Sequence, residues 1–215
     1  MTDSQDHWEG VYRTKAETEV SWFQAIPAPS MDLLSKAGIG RESAIIDVGG
    51  GASTLADHLI DAGYRDVTVL DISASALAAS RRRLGPAASI VSWVVADVTG
   101  WRPDRRYDLW HDRAVFHFLV TPEARAAYVA TLRAALRPGG HVVIGTFALD
   151  GPEKCSGLAV QRYDAEGLGR ELGAGFKLVD SRDHDHATPW GSTQKFSFGV
   201  YRLEHPADGE RTSAG

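Results

Sequence analysis

The acidic residues in the first half of the chain are spaced around glycines in a way that suits ligand chemistry. Asp47 stands two positions before Gly49-Gly50-Gly51, and Asp71 follows the glycines by about 20 residues, where a nucleoside-binding fold hydrogen-bonds ribose hydroxyls. The glycines let backbone approach a ligand where a Cβ would clash, and a helix opening there aims its N–H groups at that ligand. Farther on, His111-Asp112-Arg113 with His117 beyond it forms a polar cluster suited to proton transfer, so His111, Asp112 and His117 are candidate bases. The same residues admit a structural reading, with Asp112–Arg113 a local ion pair and His117 a satisfied core histidine. Cys155 is the single cysteine; with no visible thiolate stabiliser beyond Lys154, packing is favoured over reactivity. Asp183-His184-Asp185-His186 places two histidines on one side of a strand, half of a metal site without a partner cluster, and no metal is expected.

These residues need elements to hold them. Ala44–Val48 is a short apolar run of the kind a buried parallel strand requires, and Leu55, Ala56, Leu59 and Ile60 after the glycines have helical spacing. A second strand, Val67–Leu70, ends in Asp71, and a helix over Ala74–Leu84 closes on Arg81-Arg82-Arg83, read as a solvated last turn where cations suit the dipole. Strands follow at Ile90–Ala96, Tyr107–Trp110 and Val142 to about Ala148. Thr121-Pro122-Glu123 opens a helix with an apolar stripe at Ala126, Val129, Leu132 and Leu136, and Tyr163–Leu172 forms another. Ligands in open α/β sheets bind beyond the carboxyl ends of the strands. That rule puts residues 111–113 in a loop at the ligand edge, together with the irregular stretch from Leu149 to Leu158, the kind of long loop in which acceptor selectivity is built. Phe176–Asp180 and Lys195–Leu203 read as the last strands.

Ahead of this core, residues 1–6 are polar and expected to fray, and Trp8, Val11 and Tyr12 repeat with helical spacing. Thr18–Phe23 adds an aromatic cluster, read as a packed flap and as a lid over a ligand; both readings can hold. Ser30 is positioned to cap a helix over Met31–Ala37, ended by Gly38.

A nicotinamide fingerprint requires Gly-x-Gly-x-x-Gly/Ala, and Thr54 occupies the third position. Asp47 would also face a dinucleotide's pyrophosphate. An acid there suits a ligand with a cationic amino-acid end, and S-adenosylmethionine carries an ammonium, a sulfonium and a ribose without phosphate. Asp47-Val48-Gly49-Gly50-Gly51, Val69-Leu70-Asp71-Ile72-Ser73, Val94-Val95-Ala96-Asp97-Val98 and Leu136-Arg137-Pro138-Gly139-Gly140 occur in the order of four motifs of the class I S-adenosylmethionine-dependent methyltransferases, and the sequence resembles that family over residues 40–205. Ser53 departs from the pattern, standing where many relatives carry a third glycine.

The resemblance implies an α/β, Rossmann-like doubly wound seven-stranded sheet with a C-terminal antiparallel hairpin. It implies an N-terminal lid over residues 1–40, a cofactor-binding domain over 41–205 and a disordered tail over 206–215. It further implies S-adenosylmethionine held by Asp47, Gly49, Gly50 and Gly51 at the methionine end, Asp71 at the ribose, Ile72, Asp97 and Val98 at the adenine, and Trp8, Tyr12, Trp22 and His111 around the reacting end. The expected reaction is methyl transfer to a small-molecule acceptor. Protein lysine methylation is the alternative, because the N-terminal Trp/Tyr segment resembles some such enzymes, although Asp112-Arg113-Ala114-Val115 is not their Asp-Lys-Gly-Thr. A third reading is a cofactor-binding module without catalysis, which an intact motif set disfavours.

Composition sets bounds on these readings. A chain of 215 residues that is 43% hydrophobic supports a sizeable core. A net charge of −5 argues against a dedicated nucleic-acid binder. No apolar run reaches the roughly 18 residues of a membrane span, no secretory signal is visible at the N-terminus, and the lone cysteine fits a reducing cytoplasm. Neither the acceptor nor the oligomeric state follows from the sequence.

Overall fold

Strands that are apolar on both faces must be covered on both sides, and this chain covers them by winding helices around one sheet. The computed structural model describes residues 3–204; the expected tail over 206–215 lies outside them. The chain begins with α1 (Asp3–Thr14), a 3-10 turn (Glu17–Glu19) and α2 (Ala28–Lys36). Next come β1 (Ile45–Val48), α3 (Leu55–Asp61), β2 (Val67–Asp71), α4 (Ala74–Leu84), β3 (Val91–Val95), β4 (Tyr107–Arg113), α5 (Pro122–Ala135) and β5 (Leu136–Phe147). A small hairpin of β6 (Lys154–Cys155) and β7 (Leu158–Ala159) leads to α6 (Ala165–Leu172), β8 (Phe176–Ala187) and β9 (Thr193–Leu203).

The seven-stranded sheet has the order β3-β2-β1-β4-β5-β9-β8. Strands β1 to β5 run parallel, and β9 runs antiparallel to both β5 and β8. This is the expected Rossmann-like, doubly wound sheet with its C-terminal antiparallel hairpin. The strand order reverses between β1 and β4, the switch point at which such sheets open a ligand crevice. Side chains alternate across the sheet. Ile45, Leu109 and Val143 pack with Leu33 and Leu34 of α2 and Leu55 and Leu59 of α3. Ile46, Trp110 and Val142 pack on the opposite face with Tyr128 and Leu132 of α5 and Leu168 and Leu172 of α6. No helix among the described residues is long and apolar enough to cross a membrane.

Several boundaries differ from expectation, each for a physical reason. Residues 3–6 open α1 and do not fray; Gln5 Nε2 donates to Ile72 O at 3.4 Å. Helix α2 starts at Ala28 with Pro29 in its first turn, where a fixed φ suits a helix. Ser30 therefore sits inside the helix, not at its cap, and α2 joins the sheet's core through Leu33 and Leu34. Strand β4 continues past Trp110 to Arg113, so the polar triplet belongs to the strand and not to a loop. Helix α5 buries Tyr128, Thr131, Leu132 and Ala135, a stripe rotated from the expected one because the Tyr128 hydroxyl has buried partners. Arg83 is not simply solvated. Its guanidinium binds Glu17, Asp57 Oδ1 and Oδ2 at 2.9 and 2.8 Å and Ser53 O at 2.6 Å, joining the 3-10 turn to α3.

Candidate active site

The glycine turn after β1 is built around close approaches. Gly49 has φ +68°, a region L side chains rarely adopt, and a Cβ there would fall 2.0 Å from Val115 Cγ2. A Cβ on Gly51 would lie 2.5 Å from both Asp71 Oδ2 and Ala76 Cβ, and one on Gly50 would lie 2.2 Å from Asp47 Oδ2. The turn thus lies flat against two carboxylates. Gly51 N–H donates to Asp71 Oδ2 at 2.9 Å, and Ser73 N–H donates to Oδ1 at 2.8 Å. Burial pushes the Asp71 carboxyl up to about 6 against the pull of those two N–H groups. Each oxygen still has a free acceptor direction. At the end of β3, Asp97 Oδ1 accepts from Thr99 N–H at 2.9 Å and from the Thr99 hydroxyl at 2.7 Å.

The end of β4 places the three candidate bases, His111, Asp112 and His117, outside the cavity lining. His111 is 2% exposed and pairs with Asp47 across β1. Nδ1–H of His111 donates to Asp47 Oδ1 at 2.7 Å, a carboxylate oxygen being an acceptor; Nε2 meets the Ser30 hydroxyl at 2.8 Å. Both ring nitrogens are occupied and the ring does not line the cavity, so His111 is placed neither as a base nor as a cofactor contact. Asp112 is 0% exposed, on the opposite face of the sheet from Arg113 as the strand's period of two requires, so the two are not an ion pair. It accepts from Val115 N–H at 2.8 Å, Phe116 N–H at 3.1 Å and the Tyr128 hydroxyl at 2.6 Å, which fixes the turn at Ala114, where φ is +74°. Its role is to hold the cavity wall that Val115 begins. His117 is fully buried against Phe118 and Phe147, accepts on Nδ1 from Phe147 N–H at 3.4 Å, and is pushed down to about 3 by burial and by Arg113. It is a neutral core histidine.

A cavity of about 310 Å³ opens at the switch point. Among the expected cofactor residues, Gly49, Asp71, Ile72, Asp97 and Val98 line one part, and Trp8, Tyr12 and Trp22 line another. Asp47, Gly50 and Gly51 stand behind the wall, with Asp47 Oδ2 buried and without a partner among the described residues. The roof is aromatic. Trp8 packs edge-on against Trp22 and Phe118 with ring centroids 5.7 and 5.1 Å away, and Trp22 Nε1–H donates to the Tyr12 hydroxyl at 3.2 Å.

Arg113 and Val115, from the stretch 111–117, and Cys155, from the loop after β5, face the cavity together with Phe118, a lining residue that the sequence does not single out. The strand period would have separated Arg113 from Asp112 had the end of β4 been known. Among the described residues no three His, Cys, Asp or Glu side chains converge as a metal site requires, and His186 donates Nε2–H to Ser21 O at 2.7 Å.

Comparison with known proteins agrees with this geometry. Residues 45–140 match the family described as methyltransferase domain. Thiocyanate methyltransferase 1 of Arabidopsis thaliana is 30% identical over 188 residues, covering 84% of this chain and 79% of that protein. The N-methyltransferase NodS of Bradyrhizobium japonicum, solved with S-adenosylhomocysteine, superimposes with a TM-score of 0.70 at 18% identity, over 93% of this chain and all of that one. The 1,6-didemethyltoxoflavin-N1-methyltransferase of Burkholderia thailandensis does so with a TM-score of 0.64 at 23% identity, over 94% and 83%. With its motifs, strand order and relatives in agreement, the chain belongs to the class I S-adenosylmethionine-dependent methyltransferases.

Proposed function

We propose that the protein methylates a small-molecule acceptor bound beneath its N-terminal aromatic roof. The carrying observation is the cavity itself. At about 310 Å³ it lies at the low end of the roughly 300–1,000 Å³ of ligand sites, and the cofactor must share it. A polypeptide acceptor would need an open groove beside the methyl position. The relatives named for thiocyanate and for didemethyltoxoflavin support the small-molecule reading.

The residues present fit the family's cofactor. The negative Asp47 Oδ2 buried beneath Gly50 favours a cation at the turn and disfavours a phosphate. The spare acceptor directions of Asp71 suit the two ribose hydroxyls, and Ile72 and Val98 offer apolar surface beside Asp97 for a purine. Once bound, S-adenosylmethionine supplies an electrophilic methyl group. The chain's own task is to orient two ligands and exclude water.

Calorimetric titration with S-adenosylmethionine, S-adenosylhomocysteine and NAD(H), followed by an acceptor screen read as S-adenosylhomocysteine formation, tests the proposal. Binding of the first two and turnover on small nucleophiles is expected. Turnover on polypeptides alone would overturn it.

A further inference from the structure

We propose that the acceptor is a small anion, ionised at its nucleophilic atom at neutral pH, whose charge is paired by Arg113. The inference rests on the small-molecule reading above and narrows it by charge.

Arg113 leaves the end of β4 on the cavity side. Its Nη2–H donates to Trp22 O at 2.5 Å, and its guanidinium carbon stands 5.9 Å from the centre of the Phe196 ring. Among the described residues it has no carboxylate at ion-pair distance. Asp47, Tyr12 and Cys155 are the acidic groups whose fields reach it, and His117, His184 and His186 feel its charge in turn. Burial lowers it to about 10, so it remains a cation at neutral pH. Arg113 is half-buried; a guanidinium carries five N–H donors in a planar fork, and one withdrawn from water without a counter-charge is costly. An anion in the cavity would relieve that cost.

The second observation is independent of the first. Among the described residues no general base faces this end of the cavity. His111 and Asp112 are fully engaged elsewhere, and His117 is walled off in the core. Burial raises both the Tyr12 phenol and the Cys155 thiol, the latter to about 11, so neither is available as an anion at neutral pH. An acceptor that must lose a proton to become nucleophilic has no group here to take it. A neutral amine could attack without a base, but its product would be a cation beside a half-buried guanidinium. An anion X⁻ instead forms the X–C bond as the methyl–sulfur bond breaks; the bonding pair stays on sulfur, no proton moves, and the product is neutral.

The cofactor's own carboxylate is a second source of negative charge for Arg113, and the test separates the two. Thiocyanate, iodide and hydrosulfide serve as anionic probes, with a primary amine and a phenol of similar size as neutral ones. Wild-type protein is assayed with S-adenosylmethionine for S-adenosylhomocysteine formed and for protons released. Thiocyanate is also titrated calorimetrically into the S-adenosylhomocysteine complex. Arg113→Met and Arg113→Lys are taken through both measurements. The expected result is turnover of anions without proton release and thiocyanate binding to the complex. Arg113→Met should raise the anion KM about 100-fold, consistent with loss of a half-buried charge partner, and leave S-adenosylhomocysteine affinity within about threefold of wild type, with Arg113→Lys between the two.

Turnover of the neutral probes alone overturns the proposal and leaves the small-molecule reading standing. Weakened S-adenosylhomocysteine binding in Arg113→Met with an unchanged anion KM also overturns it, and assigns Arg113 to the cofactor carboxylate. Methylation of polypeptides alone removes the underlying reading as well. If Arg113→Met does not fold by circular dichroism, calorimetry on the wild type and the lysine variant decides.

Discussion

The cavity has two unlike halves. On the nucleoside side, each carboxylate is tied to backbone close by: Asp71 to Gly51 and Ser73, Asp97 to Thr99. On the roofed side, Trp8, Tyr12, Trp22, Phe118 and Arg113 come from distant segments and share few hydrogen bonds, such as Trp22 to Tyr12 and Arg113 to Trp22 O. The first half is organised by local turns before any ligand arrives. The second is organised by packing and by a charge that has no counter-charge at ion-pair distance among the described residues. The difference teaches that one half of a cavity can be held by hydrogen bonds between turns at the strand ends, while the other depends on side-chain packing between segments far apart in the chain.

The sharpest way to break this comparison is at Asp71. Asp71→Ala should lower S-adenosylhomocysteine affinity roughly 100-fold or more, because two ligand hydroxyls lose a charged acceptor. A loss of less than about tenfold by calorimetry would mean the nucleoside half is not where the cofactor is held. Protonation should act on the same contact. Asp71 is raised to about 6, with Asp47 and Glu9 adding to the effect of burial, and a ribose hydroxyl is best accepted by the ionised form. Affinity should therefore be full above that value and fall by up to about tenfold per unit as pH drops below it. Asp112 is also raised to about 6 but lies outside the cavity, so Asp71→Asn should bind weakly and with little pH dependence.

A smaller effect is expected at His111, which supports the glycine turn from behind through Asp47. His111→Gln should weaken S-adenosylhomocysteine binding by about tenfold and lower Tm, since it disturbs a buried hydrogen bond to a charged partner. The pH profile of turnover should keep its shape. Loss of a limb of that profile would reinstate His111 as a base. The smallest effect is expected at Arg83, which fastens the 3-10 turn at Glu17–Glu19 to α3. Arg83→Met should raise the KM for S-adenosylmethionine about two- to fivefold at low salt, less at high salt, as befits a half-exposed ion-pair network. No salt dependence would show that the roof is held by its aromatic packing alone.

The two halves also differed in how far the sequence revealed them. The strand, glycine turn and helix from Ile45 to Asp61, and the acid at the end of β2, follow from hydrophobic periodicity and from what a Cβ would hit. The end of β4 departs from the sequence expectation because a polar run normally ends a strand. Here His111-Asp112-Arg113 continues one, since Ser30 of α2 and Tyr128 of α5 meet the buried groups. Those partners stand 81 and 16 positions away, beyond the reach of a local pattern. The pairing of Arg83 is likewise hidden from a local pattern, because its partner Glu17 is 66 positions off. The type of Arg113 was visible, but its orientation depends on strand alternation past the expected end of β4.

The roof also bears on how the protein is made. Ser21 O accepts from His186 Nε2 across 165 positions, and Asp32 Oδ2 accepts from Arg182 at 3.0 Å across 150. Contacts of such sequence separation form slowly, because the loop between them must close first. On the ribosome, the aromatic segment emerges early and must wait for β8 before these ties can form. The nucleoside half, complete once β3 has joined the sheet, is available sooner. A nascent chain would thus acquire a place for the cofactor before it acquires a place for the acceptor.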